Sequence, residues 1–214
     1  MKELRILIAD DQMLIRNGIV SMLIDQSVFK PIIQEASSGA EVLDLTTKRR
    51  YDLILLEGRM SKMDCVTAIR LMRKNGVKAP VLSLYDKCDY RTIKRAIKNG
   101  ILGIILKNTE GDELINAIIK VSKKLPYYCD EVSKIMFDKE KSEQETEGLI
   151  KTLTNREMQV LELVAQEMKE DEIAEILNIS KRTVEGHKKN LRIKLNVKNN
   201  SGLIRFAYES GYLV

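Results

Sequence analysis

The sequence has few of the residues that build metal sites and disulfide frameworks. Its 214 residues include one histidine, His187, and three cysteines, Cys65, Cys88 and Cys129, which are widely spaced and form no CxxC pair. A structural zinc site needs about four closely spaced nitrogen or sulfur ligands, so zinc sites of the usual spacing are excluded. An odd number of scattered cysteines argues against a disulfide scaffold and fits the reducing cytosol.

Long apolar runs are also lacking. No stretch approaches the roughly 18 apolar residues of a membrane-spanning helix, and the start MKELRILIADD has too short an apolar run for a signal peptide. We therefore expect a cytoplasmic protein with no membrane partner. The signatures GxxxxGKS/T, GxSxG and HExxH are absent, so we expect no enzymatic activity.

The first 123 residues alternate short apolar runs with longer segments of helical spacing. Strands buried on both faces of a sheet are apolar almost throughout. Five runs have this character: Leu4–Ala9, Ile32–Ala36, Leu53–Leu56, Val81–Leu84 and Ile101–Leu106. Five strand–helix repeats in about 120 residues predict an α/β domain, a (βα)5 doubly wound parallel sheet. Its functional edge would lie at the carboxyl ends of the strands.

Residues 124–148 differ in composition from the segments on either side. They carry four lysines and seven acidic residues, and the part from 138 to 148, DKEKSEQETEG, has no apolar residue. This composition predicts a solvated linker with a short helix over residues 130–137. The predicted parts are therefore 1–123, the linker 124–148, and 149–214.

Residues 149–214 show helical periodicity only. Thr154 and Glu157 have the spacing of a capping box ahead of an apolar stripe. A second short helix, EDEIAEIL, ends at a tight turn, after which Ser180 can cap a third helix over residues 181–195. A fourth helix from about residue 201 to 209 completes an all-α four-helix domain. The second and third helices form a candidate helix-turn-helix.

The third helix concentrates positive charge. Residues 181–198 carry seven Lys or Arg and one acid, a net +6, whereas the whole domain carries +2. Such a cluster favours phosphate binding, because each neutralised phosphate releases counterions. A solvated helix face is the alternative, but the helix-turn-helix context favours double-stranded DNA. Gly186 either allows close approach to base edges or packs against another helix, and His187 is either a phosphate donor or a structural residue.

The segment LTNREMQVLELVAQ, together with EIAEILNISKRTVEGHKKNLRIKL, resembles the LuxR-type helix-turn-helix of the NarL/FixJ response regulators. The resemblance implies that Glu185, Gly186 and Lys189 face base edges. It implies more backbone-directed contacts for Lys181, Arg182, Thr183, Lys188 and Arg192. Glu167 stands where a turn glycine is usual, and Asn200 stands where an arginine is usual. Because one helix-turn-helix covers one half-site, a homodimer is expected.

The N-terminal half resembles a receiver domain, a flavodoxin-like fold, over its full length. Asp10 and Asp11 follow the first predicted strand, and Lys107 ends the fifth. The fold would bring these residues to one end of the sheet. Carboxylate pairs suit Mg²⁺, so Asp10 and Asp11 are candidate ligands for a Mg²⁺ ion. A loop or capping feature is the alternative for such a pair.

This sequence departs from the receiver pattern at the reacting positions. Glu57 stands at the position of the phosphoacceptor aspartate, Tyr85 at that of the switch hydroxyl, and Ile104 at that of the switch aromatic. Downstream of Glu57, Ser61 and Cys65 replace the usual proline and glycine. The predicted receiver pocket therefore consists of Asp10, Asp11, Glu57, Tyr85, Ile104 and Lys107.

Glutamate is one methylene longer than aspartate, and phosphoryl transfer tolerates little misplacement of the attacking oxygen. We expect Glu57 to reach Lys107 and form an ion pair instead of accepting a phosphoryl group. The chain is therefore interpreted as an atypical, phosphorylation-independent regulator of the two-component type. It would be held in a DNA-binding state, or be regulated by its abundance or by a ligand. Neither a cofactor nor a sensor kinase would be required.

Other interpretations of the first domain remain open. It could be a degenerate receiver kept as a dimerisation scaffold. It could sense a ligand or partner and gate DNA binding, its acidic pocket holding something other than phosphate. A thiol switch at one of the three cysteines is a further alternative. An acidic partner for the first domain is another, since that domain has a net charge of +6.

Overall fold

Residues 1–61 and 63–210 are described by the computed structural model of the protein. The chain divides into two units, Met1–Phe137 and Asp138–Val214, and each is described by itself. No helix in the described ranges is both long enough and apolar enough to cross a membrane.

The first unit is built on a parallel sheet, as the apolar runs predict. The strands are β1 (Glu3–Ala9), β2 (Lys30–Ala36), β3 (Leu53–Glu57), β4 (Arg59–Met60), β5 (Met63–Asp64), β6 (Val81–Tyr85), β7 (Gly103–Leu106) and β8 (Tyr127–Tyr128). The main sheet has the order β2-β1-β3-β6-β7-β8, while β4 and β5 form a small antiparallel pair. Every residue of β3, β6 and β7 is buried. The strand order reverses between β1 and β3, where ligands bind in folds of this kind.

Five helices connect the strands of the first unit. They are α1 (Met13–Asp25), α2 (Gly39–Lys48), α3 (Cys65–Lys74), α4 (Tyr90–Lys98) and α5 (Gly111–Ser122). Side chains of Ser38, Asp64 and Asp89 begin α2, α3 and α4 by accepting a hydrogen bond from a backbone N–H of the first turn. At the positions of helical spacing in α1 and α5 the buried residues are Ile19, Leu23, Leu114, Ile118 and Val121. On α1, Ile15 is half-buried and Met22 is 45% exposed.

The first unit continues past residue 123, where the sequence analysis placed a linker. Strand β8 pairs with β7, Gly103 opposite Tyr127 and Ile104 opposite Tyr128. The Tyr127 hydroxyl donates to Glu113 Oε1 at 3.0 Å. Helix α6 (Asp130–Lys151) follows, and its Val132 is fully buried in the core of the first unit. The two-residue strand is too short to give a periodic sequence signal.

The predicted solvated segment 138–148 is helical, which corrects the linker prediction. Helix α6 runs without a break through 22 residues, and the boundary between the units falls inside it, after Phe137. Most of these side chains are exposed, as expected. Lys, Glu and Gln have high helix propensity, and Glu147 forms an i,i+4 ion pair of 2.8 Å with Lys151. The polar composition therefore predicted the exposure of these side chains correctly, but it did not predict that the backbone is helical.

The second unit contains the four predicted helices. They are α7 (Asn155–Ala165), α8 (Glu170–Leu177), α9 (Lys181–Lys194) and α10 (Asn200–Glu209). The capping box of Thr154 and Glu157 is present, and Ser180 caps α9 by accepting from the Thr183 N–H. The inward stripe predicted for the third helix, Val184, Leu191 and Leu195, is buried. Residues 211–214 of the predicted domain lie outside the described residues.

Candidate functional site

Three charged side chains meet at the carboxyl ends of the central strands. Asp10 follows β1, Glu57 ends β3 and Lys107 follows β7. The Lys107 ammonium lies 2.8 Å from Asp10 Oδ2 and also contacts Glu57 Oε2. All three side chains are at most 7% exposed. The predicted ion pair between Glu57 and Lys107 is therefore present, and Asp10 shares the same ammonium.

The ionisation of this cluster follows from its burial. Loss of hydration raises the pKa of Glu57, and the hydrogen bond from Lys107 only partly opposes that effect. Burial alone would lower the pKa of Lys107, but its hydrogen bonds to Asp10 and Glu57 outweigh this and raise it. The lysine is thus a fixed cation between two acids.

The carboxylates of the predicted Mg²⁺ site are engaged elsewhere. Asp10 Oδ1 accepts from the Gln12 N–H at 2.8 Å, and Asp10 Oδ2 is on Lys107. Asp11 is exposed, and its Oδ2 accepts from the Ser61 N–H at 2.8 Å. In the described ranges no three His, Cys, Asp or Glu side chains are grouped to hold a metal. As arranged, Asp10 and Asp11 are held by Lys107 and by backbone N–H groups, so they do not form a free pair of carboxylate ligands for the ion.

Tyr85 is held in place next to this cluster. Its hydroxyl lies 3.0 Å from Cys65 Sγ, and the side chain is 3% exposed. A Cβ at Gly58 would overlap the Tyr85 ring, so only glycine leaves room for it. Burial raises the pKa of both the phenol and the thiol, so both stay protonated. The contact spans 20 residues of sequence, and no sequence pattern indicated it.

Ile104 is a core residue. It is completely buried in β7, opposite Ser83 of β6 and Tyr128 of β8. Its strand lies between β6 and β8, and its aliphatic side chain has no polar group that could form a hydrogen bond. The position that the receiver resemblance assigns to a switch aromatic is therefore part of the hydrophobic core.

The predicted DNA-contact residues differ in exposure, and only Lys188 among them is buried. Exposed on α9 are Lys181, Arg182, Thr183, Glu185, Gly186 and Lys189. His187 and Arg192 are half-buried. No atom lies within 4 Å of a Cβ built at Gly186, so close packing against another helix does not explain this glycine. Lys181 forms an exposed ion pair of 2.9 Å with Asp171.

Lys188 differs from the sequence prediction. It was assigned to backbone-directed DNA contacts, but its side chain is 5% exposed and its ammonium pairs with Glu170 of α8. Position 188 lies four residues after Val184 and three before Leu191, which places it on the buried stripe of the helix. The spacing could have predicted that Lys188 is buried, but its positive charge led to its assignment to the DNA-binding face.

A second ion pair ties α9 to α7, and the sequence analysis missed it. Lys194 Nζ lies 2.7 Å from Glu157 Oε2 and 3.0 Å from the Thr152 carbonyl oxygen. Burial would raise the pKa of Glu157, but the hydrogen bonds from Lys194 and Thr154 outweigh it and lower the pKa. Together with the pair of Lys188 and Glu170, this contact fixes the orientation of the basic helix against α7 and α8.

Comparison with known families assigns both units. The family described as "Response regulator receiver domain" matches residues 6–119, and the family described as "Bacterial regulatory proteins, luxR family" matches residues 151–207. The chain therefore belongs to the response regulators with a receiver domain and a LuxR-type helix-turn-helix, of the NarL/FixJ kind. It is a DNA-binding transcription regulator.

Individual relatives agree with this assignment. The nitrate/nitrite response regulator protein NarP of Escherichia coli is 31% identical over 195 residues, which cover 91% of this chain and 90% of NarP. The response regulator protein VraR of Staphylococcus aureus is 31% identical over 206 residues, which cover 96% of this chain and 97% of VraR.

Solved structures share the fold. The RcsB response regulator of Salmonella typhimurium has a TM-score of 0.66 at 22% identity, over 97% of this chain and 99% of that chain. A structure of an RcsB–DNA complex has a TM-score of 0.58 at 21% identity, over 98% and 99% of the two chains.

Proposed function

We propose that this regulator binds its operator without phosphorylation at Glu57. The observation that carries the proposal is the Lys107 ammonium held between two buried carboxylates, those of Asp10 and Glu57. A phosphoacceptor needs a carboxylate oxygen that is free to attack in line with the donor phosphorus. Both oxygens of Glu57 are engaged, because Oε1 accepts from the Arg59 N–H at 3.0 Å and Oε2 contacts Lys107.

The residues that would report phosphorylation support the same proposal. Tyr85 is fixed between Gly58 and Cys65, and Ile104 is enclosed in the sheet. A switch needs two arrangements of similar free energy that a signal can bias. Moving Tyr85 outward would expose a buried ring and break its contact with Cys65. One arrangement is therefore strongly favoured, with or without a phosphoryl group.

The output follows from the exposed face of α9. Glu185, Gly186 and Lys189 would meet base edges in the major groove, whereas Arg182 and Arg192 would contact phosphates. Paired half-sites raise affinity and specificity, so the active species is a homodimer. The operator complex requires no Mg²⁺ and no sensor kinase.

The test is DNA binding by the untreated full-length protein. It is incubated with fragmented genomic DNA from its source, and the enriched sites are used to measure Kd with and without a small phosphodonor and Mg²⁺. We expect selective binding in the nanomolar range, unchanged by the donor. Intact-mass spectrometry of the same samples is expected to show no added phosphoryl group.

The matched control is Glu57→Asp, which restores the acceptor length and withdraws the carboxylate from Lys107. We expect this variant to gain a phosphoryl group from the donor while the wild-type protein does not. Phosphorylation of wild-type Glu57 together with a tenfold or larger gain in DNA affinity, about 1.4 kcal/mol, would refute the proposal. So would wild-type binding that stays weak and non-selective until the donor is added.

A further inference from the structure

An open cleft lies beside the cluster of Asp10, Glu57 and Lys107. It has a volume of about 290 Å³ and lies between the segments that follow β3 and β6 and the first turns of α3 and α4. Its lining includes four buried residues, Gly58, Cys65, Val66 and Tyr85. It also includes three exposed guanidinium groups, those of Arg59, Arg91 and Arg95. We call it the arginine cleft.

The two acids of the lining only partly compensate the charge of these arginines. Arg95 donates to Asp64 Oδ2 at 2.9 Å. In the described part of the chain, neither Arg59 nor Arg91 forms an ion pair. The other acid of the lining, Asp89, uses its carboxylate to accept from the Thr92 N–H and begin α4. The positive charge of Arg91 acts on Asp89 and helps to lower the pKa of that carboxyl, but among the described residues the guanidinium groups of Arg59 and Arg91 are not held in an ion pair and can donate to an anion.

The surroundings of the cleft are also basic. Neither α3 nor α4 contains an acidic residue, and α4 exposes Lys94 and Lys98 beyond the cleft. Such a field raises the local concentration of anions and their association rate. Arginine is suited to phosphate, because its planar group donates two parallel hydrogen bonds to a pair of phosphate oxygens.

The size of the cleft limits the ligand. Small-molecule sites generally enclose about 300–1,000 Å³, so the arginine cleft is at the lower end of that range. We propose that it binds a small metabolite that carries a phosphate group. A dinucleotide would exceed the space, and an uncharged molecule would leave the guanidinium groups without partners.

The position of the cleft gives such a ligand a route to the receiver pocket. Arg59 lines the cleft with its side chain, while its backbone N–H holds Glu57. Tyr85, at the switch position, is another lining residue. The ligand would thus act from beside the acidic cluster, not inside it, where Lys107 already neutralises the carboxylates. The inference does not rest on phosphorylation-independence, because binding at the cleft can be measured in either case.

The experiment measures ligand-dependent melting of the full-length protein. Inorganic phosphate and glycerol 3-phosphate are titrated at constant ionic strength maintained with chloride, and succinate serves as a carboxylate comparator. At a concentration of about ten times Kd, a single site would raise the melting temperature by about 3–6 °C. We expect a saturable rise with at least one phosphate probe and none with succinate.

Two double variants make the test specific. Arg59→Gln with Arg91→Gln removes the unpaired charges of the cleft, and both side chains are exposed, so folding should be preserved. The control, Arg49→Gln with Arg50→Gln, removes the same charge from exposed arginines elsewhere in the same unit. We expect the cleft variant to lose the saturable shift and the control variant to keep it.

Each outcome decides the proposal. A response to glycerol 3-phosphate alone supports a phosphorylated metabolite, and an equal response to inorganic phosphate identifies the phosphate group as the recognised part. A non-saturating rise common to the wild type and both variants is the general effect of excluded salts and would overturn the proposal. A succinate shift as large as those of the phosphate probes would overturn the choice of phosphate, and no shift in the wild type would overturn the site.

Discussion

Both domains contain a buried lysine ammonium, Lys107 in the receiver and Lys188 in the DNA-binding domain, and the two have different surroundings. In the receiver, Lys107 is 7% exposed and lies between Asp10 and Glu57, which are themselves 2% and 5% exposed. In the DNA-binding domain, Lys188 is 5% exposed, but its partner Glu170 is 34% exposed. One cation is enclosed by acids at the place where phosphotransfer would occur, whereas the other reaches outward to hold a helix.

The difference lies in what each ion pair leaves free. In the receiver cluster both oxygens of Glu57 and both oxygens of Asp10 have partners, and Lys107 is shared between the two carboxylates. The pair of Lys188 and Glu170 leaves the outer face of α9 open, including Gly186 and its neighbours. An ion pair of a buried lysine thus occupies the carboxylates of the receiver pocket, whereas in the second domain it holds α9 with its outer face exposed.

The largest expected effect comes from removing the enclosed cation. Lys107→Met should destabilise the receiver by about 3–5 kcal/mol, because it leaves two buried carboxylates without their counter-charge. Calorimetry of the full-length protein would show a lowered transition for the first domain. Adding Glu57→Gln to Lys107→Met should recover part of the loss. An unchanged transition for Lys107→Met would contradict the claim that Lys107 neutralises two buried carboxylates.

The second largest effect is expected at Glu157 in the second domain, where the contribution of the side chain to stability depends on pH. The pKa of Glu157 is lowered below its ordinary value of 4.5. Its carboxylate therefore stabilises the fold above pH 4.5, and that contribution is lost as the pH falls through the lowered value. Glu157→Gln should cost about 2 kcal/mol at neutral pH. Urea unfolding should show that the difference in free energy of unfolding between wild type and variant decreases at acid pH. A difference independent of pH would count against the Lys194 ion pair as its cause.

A smaller effect is expected at the half-exposed pair. Lys188→Met should cost about 1 kcal/mol, because the released Glu170 can be hydrated. It should also leave the salt dependence of DNA binding unchanged, since the ammonium does not lie on the outer face of α9. The exposed neighbour provides the control: if Lys189 neutralises one phosphate, Lys189→Gln lowers the slope of log K against log salt by about 0.9. A similar drop for Lys188→Met would return that residue to the DNA interface.

The smallest effect has the opposite sign. Glu167 adopts a left-handed conformation with φ of 60° after α7, which glycine adopts without strain. Glu167→Gly should therefore stabilise the second domain by about 0.5 kcal/mol, the relief of strain less the added flexibility of the unfolded chain. The preceding Gln166 has φ of −78°, so Gln166→Gly should destabilise. Denaturant midpoints of the two variants would therefore move in opposite directions.

The sheet was predictable because its central strands are buried on both faces and thus apolar at nearly every position, as in β3 and β7. The ion pair at Glu57 was predictable because one added methylene has a definite reach. Helix α6 was not, since an exposed helix of Lys and Glu has no apolar stripe to distinguish it from a linker. The contact between Cys65 and Tyr85 was not predictable either, because it depends on how the start of α3 packs against the end of β6.

The short strand β8 has a consequence for how the receiver avoids self-association. It covers β7, with the Tyr127 N–H bonded to the Leu102 carbonyl and the Cys129 N–H bonded to that of Ile104. A fragment ending at residue 123 would leave this apolar strand as a free edge, a template for adding strands from other molecules. Such a fragment should aggregate, whereas one that extends through Phe137 keeps its edge sealed. Tyr127 and Tyr128 therefore protect the edge of β7 from pairing with a strand of another molecule.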